Sequence, residues 1–146
     1  MIVRKIESYE LTLALDLIEQ FNRPVALRPS EERLRSVHDS IISSGGCVVG
    51  AFSGEAMVGT CTINLCANLS WSARPYAIIE NVIVSSGYRN QGIGKSLLAF
   101  AQEYGKQQGC YKIALMTGSK KPETHSFYES AGFSPSKTGF QVRFDA

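Results

Sequence analysis

From Ile78 to Gln108 the chain passes from an apolar run, through a polar turn with closely spaced glycines, into a segment of helical periodicity. This stretch limits most tightly what the rest can fold into. Ile78, Ile79, Val82, Ile83 and Val84 predict a buried strand, whereas Ile93, Leu97, Leu98, Ala101 and Tyr104 mark one face of a helix that Gly109 stops. Between them lies Arg89-Asn90-Gln91-Gly92-Ile93-Gly94-Lys95-Ser96. The first turn of a helix leaves backbone N–H groups without intrahelical partners and carries the positive end of the macrodipole, so an anion placed there meets donors and charge together. Gly92 and Gly94 permit close approach, and Arg89 and Lys95 add formal charge.

Two glycine signatures are excluded by single residues. The dinucleotide fingerprint requires a third glycine where Leu97 stands, and the phosphate loop of nucleotide hydrolases requires glycine where Arg89 stands. What remains is Arg-x-x-Gly-x-Gly over Arg89 to Gly94, followed downstream by Phe127-Tyr128-Glu129-Ser130-Ala131-Gly132-Phe133. Together with the flanking strand and helix, these motifs resemble the coenzyme A pyrophosphate loop and the Phe/Leu-Tyr-x-x-x-Gly-Phe block of the GCN5-related N-acetyltransferases. The resemblance is strong over Ile78 to Phe133 and weaker before it.

At 146 residues the chain has the size of one domain, 1–146, with enough length for a single core. Its 44% hydrophobic and 19% charged composition is that of a folded globular protein. The start, Met1-Ile2-Val3-Arg4-Lys5-Ile6-Glu7, is broken by charge too early for a secretory segment, and no apolar run reaches membrane-spanning length, so a cytoplasmic protein without membrane contact is expected. Cys47, Cys61, Cys66 and Cys110 form no Cys-x-x-Cys pair and sit in or beside apolar runs, which predicts buried free thiols and no metal. A net charge of +2 is too small to argue for nucleic acid. Its distribution is uneven: Arg89 to Lys121 carries +5 and the remainder −3. That suits a polyphosphate ligand on one side and an amine-bearing one on the other.

Along the chain, Ile2 to Ile6 predicts a first strand, and Leu11, Ala14, Leu15, Ile18 and Phe21 the face of a helix that Ser8 could cap. A second helix is expected from Pro29 or Ser30, with Leu34, Val37 and Ile41 buried. Cys47–Phe52 and Ala56–Ala67 predict a hairpin, in whose second strand Cys61, Ile63 and Leu65 alternate with Thr60, Thr62 and Asn64 as if one face were buried. Asn68 to Pro75 is a loop whose Trp71 is either a corner of the core or part of an acceptor site. Lys112 to Thr117 predicts a strand paired in parallel, Ser119 to Gly132 a last helix, and Phe140, Val142 and Phe144 a closing strand. The expectation is an α/β mixed sheet, mostly antiparallel, flanked by about four helices on both faces. The resemblance adds that parallel strands 4 and 5 splay apart.

The resemblance also implies the chemistry: acetyl-CoA as donor, a primary amine as acceptor, and direct transfer in a ternary complex. Glu80, a carboxylate within an apolar strand, is the candidate base, since an alkyl ammonium must lose a proton before it attacks and burial would raise the carboxylate toward the useful range. The alternative is that it only holds a cationic substrate. Tyr128 matches the family tyrosine that protonates the leaving thiolate. Val82, Ile83 and Val84 would bind the pantetheine arm through backbone groups where the strand bulges at Asn81, and Arg89 to Ser96 would hold the pyrophosphate. Many family members carry an asparagine near the start of the last helix. Here Lys120-Lys121-Pro122 stands in that region, so Lys120 or Lys121 is expected to meet the phosphates instead. His125, on the helix face of Tyr128, orders that tyrosine, touches the cofactor or is simply exposed. Asn22 and Arg23, with the loop to Arg28, would overhang the acceptor beside Trp71, Glu80 and Asn81. Oligomeric state is not legible, although dimers are common among proteins resembling this one, and a homodimer is compatible with the resemblance.

Overall fold

The computed structural model describes residues 1–21 and 26–145, and the chain forms two units, Met1–Leu115 and Met116–Ala146. The first is built on a five-stranded sheet: β1 (Ile2–Lys5), β2 (Cys47–Ser53), β3 (Ala56–Cys66), β4 (Tyr76–Val84) and β5 (Ile113–Leu115), in that spatial order. The first three pairings are antiparallel, and β4 pairs with β5 in parallel, as predicted. With them run α1 (Leu11–Ile18), α2 (Glu31–Ser43), a single turn α3 (Ser70–Ala73) and α4 (Ile93–Gln107).

The pleat of the sheet sorts the helices. Val48 and Phe52 of β2 pack with Ile6, Leu11 and Ala14 and with Leu34 and Ile41, so α1 and α2 cover one face. On the other face lies α4: a Cβ added at Gly59 of β3 would stand 3.0 Å from Ile93 Cγ2 and 3.1 Å from Leu97 Cδ1. A side chain there would fit only if the helix side chains gave way by a few tenths of an ångström. Further along α4, the Tyr104 hydroxyl donates to the Gly45 carbonyl at 2.5 Å, and the Lys5 ammonium lies 4.8 Å above the Tyr104 ring.

Several elements differ from the sequence expectation. A 3-10 turn, Ser8–Glu10, precedes α1, and Ser8 does not cap the helix. The organising residue is buried Glu10, which accepts from the Glu7 N–H at 2.8 Å and from both guanidinium nitrogens of Arg4 at 2.9 and 2.8 Å. α1 also stops at Ile18, before Phe21. α2 starts as predicted, with Ser30 accepting from the Arg33 N–H at 3.1 Å, but it buries His38 where Val37 was expected. Leu34, His38 and Ile41 share one row of the helix, and an imidazole can close that row as well as a branched aliphatic. In β3 the threonines do not face solvent: Thr60 is 1% and Thr62 8% exposed. α1 and α2 cover the face that simple alternation assigns to water.

The second unit contains α5 (Pro122–Ser130). Phe127 and Phe133, expected in the core, are half-buried, and each packs edge-on against the Tyr128 ring, at 5.0 and 6.4 Å between centroids. The closing strand is absent: Phe140, Val142 and Phe144 make no ladder and are 93%, 77% and 95% exposed. Alternation specifies a strand only where a neighbour supplies hydrogen bonds and a face is covered, and within this unit neither condition is met.

Candidate active site

The turn that enters α4 is tied to the sheet by main-chain bonds. The Ser85 N–H donates to the Val58 carbonyl at 2.8 Å and the Tyr88 N–H to the Ser85 carbonyl at 2.9 Å. Arg89 reaches back through Nε to the Val84 carbonyl at 3.3 Å, which holds its exposed guanidinium beside the loop. Asn90 and Gly92 then take left-handed φ values of 62° and 80°, and Gly92 is the N-cap of α4. No side chain caps this helix. The Ser96 hydroxyl and N–H both donate to the Gly92 carbonyl at 3.1 Å, which leaves the N–H groups of Ile93, Gly94 and Lys95 as the first-turn donors. Arg89, Asn90, Gln91, Gly92 and Lys95 are exposed, whereas Ile93 and Gly94 are buried against the sheet. Nothing lies within 4 Å of a Cβ built at Gly92, so its lack of a side chain serves the left-handed turn. This turn can accept an anion without rearrangement.

One strand away, β4 is bulged. Glu80 opposes Thr62 and Ile83 opposes Thr60, so Asn81 and Val82 together face the single residue Cys61. Asn81 absorbs the extra residue with φ 55°. Without the bulge Glu80 and Ile83 would point to opposite faces; with it, by register, both lie on the side of α1 and α2, Ile83 buried and Glu80 exposed. The burial expected of Glu80 is thus not found. Its position inside an apolar stretch reflects the strand around it and not its own surroundings.

The parallel ladder between β4 and β5 ends at Ile79 and Leu115. From Glu80 to Val84 the first unit supplies β4 with a ladder partner only on the β3 side, which leaves backbone groups along Val82, Ile83 and Val84 for an extended ligand. An arm carrying amide groups fits such an edge, and a diphosphate fits the α4 turn a few residues further on. The donor set therefore suits coenzyme A.

The second unit holds the predicted residues Lys121, His125 and Tyr128. Tyr128 is half-buried, and burial pushes its phenol above the ordinary value, so the hydroxyl keeps its proton throughout the neutral range. His125 is exposed and donates from Nε2 to the Ser119 carbonyl at 2.8 Å, which places a proton on that nitrogen. Lys121 is the N-cap of α5, and its N–H donates to the Ser119 hydroxyl at 3.2 Å, with its ammonium exposed.

Trp71 is placed elsewhere. It is 66% exposed and stacks on Tyr111 with ring centroids 5.4 Å apart, at the end of β4 where Tyr76 begins the strand. From there to Glu80 the strand covers about 13 Å, so the two are not brought together. Trp71, Ser72 and Ala73 have φ of 53°, 59° and 60°, so α3 is a left-handed turn. Asn22 and Arg23 lie outside the described residues, but the end of their connection is anchored: Arg28 Nη2 meets Asp16 Oδ1 at 2.5 Å and Glu19 Oε1 at 3.4 Å. All four cysteines are free; Cys47 and Cys61 are buried, with burial pushing their thiols up to about 11 and about 12, while Cys66 and Cys110 are half-buried. Among the described residues no group of three His, Cys, Asp or Glu side chains is arranged to hold a metal ion. Two placements had no sequence signal: Thr62 is buried, and Arg28, at the end of the loop expected over the acceptor, pairs with Asp16 and Glu19. Thr62 reads as a solvent-side residue, and Arg28 acts across a spacing with no motif.

Comparison with known proteins agrees with this geometry. The model of the acetyltransferase (GNAT) family matches residues 13–133, across both units. The glucosamine 6-phosphate N-acetyltransferase of Trypanosoma brucei brucei is 28% identical over 90% of this chain and 87% of its own length. The aminoglycoside N(6')-acetyltransferase type 1 of Salmonella typhimurium is 25% identical over 73% of this chain and 70% of its own. A solved chain from Agrobacterium tumefaciens str. C58 superposes with a TM-score of 0.88 at 33% identity, covering 99% of this chain and all of that one. The family model covers most of the chain and the fold is shared over nearly all of it, and the chain belongs to the GNAT acetyltransferase family.

Proposed function

We propose that this chain is a single-domain N-acetyltransferase that moves the acetyl group of acetyl-CoA to the primary amine of a small polar molecule in the cytoplasm. The observation that carries the reading is the α4 turn, with Gly92 in a left-handed conformation and no capping side chain, set beside the β4 edge that has lost its parallel partner at Ile79. The relatives named for glucosamine 6-phosphate and aminoglycoside acetylation support a small polar acceptor. No described helix is long and apolar enough to cross a membrane.

Acetyl-CoA supplies an acyl group already activated as a thioester. The loop from Arg89 to Ser96, through Arg89, Asn90, Gln91, Gly92 and the first-turn N–H groups of Ile93, Gly94 and Lys95, would hold the pyrophosphate; Val82, Ile83 and Val84 would align the arm; Lys121 and His125 would add contacts to the cofactor. Glu80 takes a proton from the acceptor ammonium, directly or through water, which its exposure permits. Asn81 and the connection carrying Asn22 and Arg23 flank the acceptor. Tyr128 gives the departing sulfur a proton, a role open to a phenol that burial keeps protonated. A homodimer belongs to the same reading.

The test is release of free thiol from acetyl-CoA across a panel of amines. Glu80→Gln and Tyr128→Phe are each expected to lower kcat by roughly 10²-fold or more while coenzyme A still raises Tm. Stabilisation by coenzyme A with no turnover of any amine would replace the enzyme by a binding module.

A further inference from the structure

On the sheet face covered by α1 and α2, β2 contributes apolar Val48 and Phe52, but β3 contributes Thr60, Thr62 and Asn64. Thr60 is explained internally, since its hydroxyl donates to the Val49 carbonyl at 2.7 Å. Thr62 is not. It is 8% exposed, stands directly opposite Glu80, and makes no side-chain hydrogen bond among the described residues. Valine would fill the same volume without carrying a hydroxyl away from water. Nor is that hydroxyl sealed in, because among the described residues no fully buried side-chain polar atom lacks a partner. Asn64, two residues on and half-buried, pairs with Ile78 and also makes no side-chain hydrogen bond among the described residues. Directly opposed residues hold their Cβ atoms about 4.5–5.5 Å apart and diagonal neighbours about 7–8 Å. Glu80, Thr62 and Asn64 therefore form one polar patch the size of a small molecule.

We propose that Thr62 and Asn64 bind hydroxyl groups of the acceptor while its amine meets Glu80, so that the preferred acceptor is a hydroxylated primary amine and not a plain alkylamine. This rests on the acetyl-transfer reading above. Both side chains are neutral and offer donors and acceptors together, which selects hydroxyl groups over a phosphate or a second ammonium. A site built to hydrogen-bond a hydroxyl discriminates against the analogue that lacks it, because its own polar groups are then left unpaired.

The experiment compares kcat/KM for glucosamine and cyclohexylamine in the parent, Thr62→Val, Thr62→Ser and Asn64→Leu. The parent should favour glucosamine. Thr62→Val and Asn64→Leu should each reduce that preference by about tenfold, chiefly through the KM for glucosamine, with Thr62→Ser restoring it and the KM for acetyl-CoA held. Turnover of both amines with the same preference in every variant overturns this inference alone. No turnover of glucosamine, with other amines of the panel turned over, overturns this inference alone; no turnover of any amine, with coenzyme A still stabilising the parent, overturns the transferase reading and this inference with it.

Discussion

A carboxylate in contact with water can take up a proton from a substrate and pass it on without a private relay, which makes the exposure of Glu80 an asset for an amine acceptor. Glycine at 92 is needed for a different reason. With φ at 80° and open space around it, Gly92→Ala should cost about 1–2 kcal/mol of local backbone strain and nothing in packing. Its expected signature is a several-fold rise in the KM for acetyl-CoA with little change in kcat on a saturated enzyme, measured by steady-state kinetics. A fall in kcat alone would place the strain elsewhere. At this scale the sequence was informative where chemistry depends on spacing, as from Arg89 to Gly94. It was silent where burial decides: nothing local in Thr62 or Glu80 tells which of the two meets solvent.

Among the elements, the α1 entry depends on one ion pair. The Arg4 hydrogen bonds hold the Glu10 carboxylate below the ordinary range, with the Glu7 N–H helping and burial opposing. A lowered folded value means that the stabilisation is present above the unfolded value, the 4.5 of an ordinary glutamate, and is lost as the pH falls through the folded one. Glu10→Gln should therefore lower Tm near neutral pH, and the gap to the parent should narrow as the pH falls below 4.5 and through the lowered folded value. Thermal melts across pH check this, and a gap that persists in acid would mean that packing, not charge, is what the substitution removes. The elements themselves were largely legible. Periodicity located α2 and α4, and apolar runs or alternation the strands of the five-stranded sheet. It failed for Phe140 to Phe144, whose alternation has no edge to pair with inside its own unit.

For the molecule as a whole, three large apolar side chains of one segment lie open at Phe140, Val142 and Phe144, and exposed apolar surface of that kind marks association sites. If the protein is a homodimer as proposed, sedimentation should give twice the mass of one chain, and Phe140→Ser with Phe144→Ser should shift it toward one copy without loss of helix content. An unchanged mass in that variant would remove the segment from the contact. The single extra residue in β4 has a wider bearing. Because Asn81 and Val82 share the one partner Cys61, deleting Asn81 would straighten the strand and leave Glu80 opposite Thr62 and Ile83 opposite Thr60. Both side chains would stay on the side of α1 and α2, and what is lost is the local bend and twist that the bulge gives β4. The extra residue therefore sets the path of the strand and not the face that each side chain takes, and its loss would be felt as a change in the direction from which β4 reaches the α4 turn.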